Sequence, residues 1–134
     1  MFGKKQTADF SKFDTLIGKN TSFEGTLTAE GTIRIDGKIK GDVKVEGDIY
    51  IGESSQVIGN IMGSNIIVGG NVDGNIIANE QLRLTSTGKV IGDISVKSLI
   101  IDENGVFEGS SKMTSNEINS KHKLKKSESS SVEN

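Results

Sequence analysis

Four carboxylates fall close together at Asp36, Asp42, Glu46 and Asp48. Carboxylates gathered in a cleft could do general acid–base work on a polysaccharide, one protonated to donate and one ionised to accept. The residues around them argue for another role. In GKIKGDVKVEGDIYIG (37–52) the apolar residues Ile39, Val43, Val45, Ile49 and Ile51 keep to odd positions. The acids take even positions or turns, so alternation points them outward as a solvated face. Asp102-Glu103 reads likewise as a corner. The single histidine, His122, sits in the Lys-rich stretch SKHKLKK and not among the repeats described below, which therefore hold no imidazole to act as a base or bind zinc. GGNVDG (69–74) resembles the start of a calcium-binding nonapeptide repeat but occurs once and lacks the repeated Asp. It has no following Lys-Ser/Thr either, so it is not a phosphate loop. The expectation is a protein that is not an enzyme, with no catalytic residues, no cofactor and no metal.

Composition sets the frame for any elements that could position such groups. The chain has 134 residues, 17 of them glycine, with no cysteine, proline or tryptophan and a net charge of −2. That balance gives no sign of a nucleic-acid binder. No apolar run approaches the roughly 18–20 residues that span a bilayer. MFGKKQTADFSKF has lysines but no continuous apolar stretch after them, so no secretory signal is expected and the protein reads as cytoplasmic. Three segments differ in content. Residues 1–20 are polar and read as a flexible N-terminal segment, with Phe10, Phe13, Leu16 and Ile17 able to fold back. Residues 21–113 carry the fold. Residues 114–134, Ser- and Lys-rich with few aliphatics, read as a disordered C-terminal tail.

Within 21–113 one phrase recurs: FEGTL (23–27), IKGDV (39–43), VIGNI (57–61), VDGNI (72–76), VIGDI (90–94) and FEGSS (107–111). The starts are 15 to 18 residues apart, near one coil of a β-solenoid. Aligned, the phrases form apolar columns: Phe23, Ile39, Val57, Val72, Val90, Phe107, then Leu27, Val43, Ile61, Ile76, Ile94, Ser111. Later in each coil comes a pair spaced by two: Ile33/Ile35, Ile49/Ile51, Ile66/Val68, Leu82/Leu84, Leu99/Ile101. These are short strands around a shared core, three faces per coil, with glycines at the corners where φ > 0 is needed. The residue after the repeated glycine reads Thr26, Asp42, Asn60, Asn75, Asp93, Ser110. No two Asp are neighbours there, and the two Asn could form an amide ladder. The irregular spacing departs from the strict six-residue steps of a left-handed hexapeptide helix. Periodicity alone leaves the hand open.

Such a stack has two ends with unpaired strand edges. The last phrase runs into a polar tail, with no amphipathic helix to cover Val106, Phe107 or Met113. End-to-end self-association follows as the expectation, through Phe23 and Leu27 at one end and Phe107 and Met113 at the other. A second expectation concerns Met1, Phe2, Lys4 and Lys5. Two apolar side chains beside two cations suit shallow insertion into an anionic leaflet, weakly in one copy and firmly in many. The competing reading is a non-polymerising solenoid whose flat face binds a polysaccharide or a protein.

TLIGKNTSFEGTL (15–27), GTIRIDGKIKGDV (31–43) and the later VDGNI, VIGDI and FEG phrases resemble the bactofilins over about residues 14–112. MFGKK is similar to the membrane-targeting start of many members of that family. The resemblance implies a right-handed, three-sided, single-stranded parallel β-helix, an all-β fold. It implies nucleotide-independent polymerisation into non-polar filaments by head-to-head and tail-to-tail contacts. It further implies a bacterial cytoskeletal scaffold, peripherally attached to the inner face of the cell membrane, serving cell shape, cell-wall enzymes or motility structures. The partners implied are the chain itself, membrane lipids through the N-terminus, and membrane-bound cell-wall or motility proteins, with no nucleic acid.

Overall fold

The computed structural model describes residues 13–114, and their regular structure is all β-strand. Ile and Val, whose branched side chains pack well on a pleated surface, dominate the inward positions. The strands wind into a solenoid with three faces. Face I holds Thr15–Ile17, Ile33–Ile35, Ile49–Ile51 and Ile66–Val68, then the ends of two long strands, Ile76–Leu84 and Ile94–Ile101. Face II holds Ser22–Glu24, Lys38–Lys40, Gln56–Ile58, Asn71–Asp73, Lys89–Ile91 and Val106–Glu108. Face III holds Leu27–Glu30, Val43–Glu46 and Ile61–Gly63, then the beginnings of the two long strands, and Ser111–Met113. Face II therefore counts six coils.

All pairing is parallel, between a strand and its equivalents one coil away. The first apolar column is reproduced residue for residue, Phe23 on Ile39, then Val57, Val72, Val90 and Phe107. The core runs up the axis: Ile33, Ile35, Ile49, Ile51, Ile66, Val68, Leu82 and Leu84 are wholly buried from face I. Inward residues of faces II and III close it from the other sides.

The corner between faces II and III explains the repeated glycine. Gly25, Gly41, Gly59, Gly74, Gly92 and Gly109 all have φ between +131° and +154°, a region essentially open to glycine alone. They also stack. A Cβ on any of the last five would collide with the carbonyl oxygen of the glycine one coil before it.

The residue after this glycine forms a ladder of a different kind from the amide stack expected from the sequence. Asp42 Oδ1 accepts the Asn60 backbone N–H at 3.2 Å, Asn60 Oδ1 that of Asn75 at 3.0 Å, Asn75 Oδ1 that of Asp93 at 3.0 Å, and Asp93 Oδ1 that of Ser110 at 3.2 Å. Each side chain bonds the next coil's backbone, not the next side chain. The rung needs only an acceptor oxygen, so Asp and Asn interchange.

Two boundaries differ from the sequence reading. The solenoid begins at Thr15, inside the segment read as flexible over 1–20. Thr15–Ile17 pairs with Ile33–Ile35, Ile17 packs on the core, and Asp14 Oδ2 accepts the Thr32 N–H at 2.8 Å. The second difference is the corner from face III to face I. Early coils turn at Gly31 and Gly47, both at positive φ, whereas Ile76–Leu84 runs through the corner with a bulge between Ala78 and Gln81.

Candidate self-assembly interface

Three of the four carboxylates that first suggested chemistry are structural. Asp42 is the first acceptor of the corner ladder. Asp48 Oδ1 accepts from Asn65 N and Nδ2 at 3.3 and 3.2 Å. Asp36 Oδ2 accepts from Arg34 Nε at 2.8 Å, and that hydrogen bond raises the guanidinium pKa above its ordinary value. Glu46 is exposed, in register with Glu30. Asp102 accepts from Arg83 Nη2 at 3.2 Å. In GGNVDG, Asn71–Asp73 is a face II strand, and Gly70 stands against the carbonyls of Gly52 and Ser55. Among the described residues no group of three or more His, Cys, Asp or Glu could hold a metal ion. His122 lies outside them.

What remains are the two ends. Ser22–Glu24 and Val106–Glu108 are the opposite edges of face II, each paired on one side only. Thr15–Ile17 and Leu27–Glu30 complete the N-terminal end; Leu99–Ile101 and Ser111–Met113 complete the C-terminal end. An edge strand leaves a row of backbone N–H and C=O groups free to template another strand.

Side chains distinguish these ends from the interior. In the first column the inner coils carry Ile39, Val57, Val72 and Val90, each at most 2% exposed. Only the terminal coils carry phenylalanine, and both rings are half-buried, packed on the core from one side. The Phe23 ring turns over its own coil, with Cε1 and Cζ each 3.9 Å from where a Cβ on Gly25 would stand. Leu27 is half-buried beside Phe23 at the N-terminal end, and Met113 is 45% exposed at the C-terminal end. The four residues singled out from sequence thus divide two and two between the ends. Sequence reasoning named Ile17 only as able to fold back, whereas it packs on the core at the first end, and it missed the exposure of Ile101, 41%, at the second. It placed Leu99 and Ile101 in a complete coil, and the signal available was that FEGSS is the last of the repeated phrases. Met1, Phe2, Lys4 and Lys5 lie outside the described residues.

Comparison with known proteins bears on what such a stack does. Residues 15–112 match the family described as "Bactofilin: Polymer-forming cytoskeletal". The chain is 30% identical over 106 residues to bactofilin BacP of Myxococcus xanthus (strain DK1622), covering 79% of this chain and 44% of that one. It is 28% identical over 96 residues to bactofilin BacO of the same organism, covering 72% and 76%. The chain thus spans under half the length of BacP. Among solved structures it is similar to the cryo-EM reconstruction of Thermus thermophilus bactofilin double helical filaments, with a TM-score of 0.69, 31% identity and coverage of 72% of this chain and 96% of that one. It is also similar to a crystal structure of a phenylalanine-to-arginine mutant of Thermus thermophilus bactofilin, with a TM-score of 0.63, 30% identity and coverage of 65% and 97%.

Proposed function

This chain belongs to the bactofilin family of polymer-forming cytoskeletal proteins, and from that premise we propose that its copies join end to end, without nucleotide, into non-polar filaments that scaffold the inner face of the cell membrane. Its role is structural and filament-forming, and the reading is of a protein without catalytic activity. The observation that carries the end-to-end assignment is the pair of half-buried phenylalanines on opposite edges of face II. Assembly draws on burying these rings and pairing the edge strands, and neither step consumes an energy source. The same residue type in the same column at both ends supports contacts of each end with its own copy, around two-fold axes, which yields a filament without polarity. The double helical filaments of the Thermus thermophilus relative support a paired form of the filament here as well. Clients serving cell shape, cell-wall enzymes or motility structures would then be gathered along its length. Electron microscopy of the purified full chain in nucleotide-free buffer tests this reading: filaments are expected. Their absence across salt and protein concentration would favour a solenoid that binds a polysaccharide or a protein through one face.

Attachment to the membrane through Met1, Phe2, Lys4 and Lys5 is part of the same proposal. Removing residues 1–5 is expected to lower flotation with anionic liposomes by about tenfold or more, since each lysine near the surface contributes about 1 kcal/mol. Filaments should persist. Equal flotation of both forms would refute the attachment.

A further inference from the structure

Outward-facing residues are distributed unevenly over the three faces. Face I presents one row, from the N-terminal coil onward: Leu16, Arg34, Tyr50, Ile67, Arg83 and Ile100. It contains no lysine and no glutamate. Both arginines of the chain stand in it, whereas the strand lysines Lys38, Lys40, Lys44, Lys89 and Lys112 stand on faces II and III, and Lys97, paired with Glu80, stands at the corner between faces III and I. The arginines are neutralised at the margin of their own face, Arg34 by Asp36 at 2.8 Å and Arg83 by Asp102 at 3.2 Å. Arg34 also lies over the Tyr50 ring, 4.7 Å from its centroid. Leu16 is 59% exposed and Ile100 40%. An aromatic, arginines and aliphatics without Lys or Glu are the composition of a protein–protein contact.

The order matters as much as the composition. Read from either end, the row runs apolar, Arg, apolar or aromatic, apolar or aromatic, Arg, apolar. A second copy turned over about an axis along the strands would set Leu16 against Ile100, Tyr50 against Ile67, and Arg34 against Arg83. That rotation keeps the corner between faces I and II on the same side in both copies. Asp36 of one copy therefore comes level with Arg83 of the other. A parallel arrangement instead sets each residue of the row against its own copy and brings Asp36 of one copy level with Arg34 of the other, so the row is self-complementary in either direction.

We infer that face I is the lateral contact between two filaments, laid against face I of a second copy of this chain. The inference rests on the filament reading above. Its scale explains why pairing belongs to filaments. The row spans five coil steps, about 24 Å, and a strip one side chain wide falls well short of the roughly 800 Å² per partner of a stable interface. Single copies would bind laterally only weakly. Repetition along a filament multiplies the contact through effective concentration.

The test compares the unmodified full chain with Ile67→Lys, and with Met62→Lys on face III of the same coil as a control. Sedimented polymer, and mass per unit length from electron microscopy, are measured for each. Ile67→Lys is expected to leave the sedimented fraction unchanged and halve the mass per length, with Met62→Lys unchanged in both. The chain has no cysteine, so Tyr50→Cys and Ile67→Cys copies can be mixed, assembled and joined with a bis-maleimide that spans the roughly 10 Å between sheets packed face to face. These residues lie in the middle of the solenoid, beyond reach of end contacts. Crosslinking between copies through these positions is expected, of 50 to 67 if the copies lie antiparallel and of 67 to 67 if they lie parallel, and no crosslink in assembled filaments would overturn the contact. Unchanged mass per length in Ile67→Lys, or unmodified filaments that are already single, would overturn the lateral contact. Loss of liposome flotation by Ile67→Lys with pairing intact would overturn it in favour of a lipid-facing surface. Absence of filaments from the unmodified chain would instead be a failure of the filament reading itself.

Discussion

Phe107→Arg is expected to abolish filament growth while leaving the solenoid folded. Phe107 is half-buried on an edge strand, in register with Val90 and with no coil beyond it among the described residues. In the isolated chain a guanidinium there can reach water along the open end, so stability should change little. In an end contact the same charge would be shut between two apolar cross-sections without a partner. Uncompensated burial of a charge costs about 3–5 kcal/mol, which raises the concentration needed for growth by about a hundredfold or more. The stopping point is informative. If each end meets its own kind, the intact Phe23 end still pairs and the variant halts as dimers at twice the 14.3 kDa of the chain. If ends join head to tail, it halts as monomers. Light scattering separates the two, and undiminished filaments would remove the end contact from the Phe107 side.

Gly74→Ala should be among the most damaging single-methyl additions in the described residues. Gly74 has φ +154°, and its Cβ would strike the carbonyl oxygen of Gly59, a backbone atom that has nowhere to go. Its N–H also bonds the Ile91 carbonyl of the next coil at 2.9 Å, so a shift to relieve one neighbour disturbs the other. The conformational term alone is about 1–3 kcal/mol, and the collision adds to it. A loss of about 3 kcal/mol or more is expected by urea unfolding. Gly18→Ala is the matched control, since its Cβ would meet nothing closer than Thr21 Oγ1 at 4.0 Å, and it should change stability by less than about 1 kcal/mol. Both are best measured in the Phe107→Arg background, where assembly no longer adds to apparent stability. Equal stability of the two variants would show that the glycine column is not a packing requirement.

The columns were legible because stacking is repetition. A side chain that must lie on its equivalent one coil away repeats at the coil length, so Ile39, Val57, Val72 and Val90 appear in the sequence as they do in space. The corner glycines were legible for the same reason, although the carbonyl stacked behind each one is visible only in three dimensions. Thr15–Ile17 was not legible from the repeat, although the family resemblance began there, because an outermost strand covers the core from one side and tolerates Thr15 where the other coils have Ile or Leu. The ladder chemistry was misread because Asp and Asn look alike as turn formers, and only geometry shows that the acceptor faces the next backbone N–H. For the ends, Phe23 and Phe107 stood out as the only aromatics in their column. Ile101 did not, because its exposure depends on no further strand covering it among the described residues. The face I row was hidden by the 16 to 18 residues that separate its members and by the fact that outward positions repeat only in character.

Fibre diffraction from aligned filaments, grown from the purified full chain in nucleotide-free buffer, tests the central claim most directly. If coils of neighbouring molecules continue one stack, strand spacing lies along the filament. A reflection near 4.8 Å should fall on the meridian, with a subunit repeat of about 29 Å, or about twice that for alternating head-to-head and tail-to-tail contacts. Filaments whose 4.8 Å reflection lies off the meridian would mean that the solenoids assemble side by side, and the ends would no longer be the site of growth.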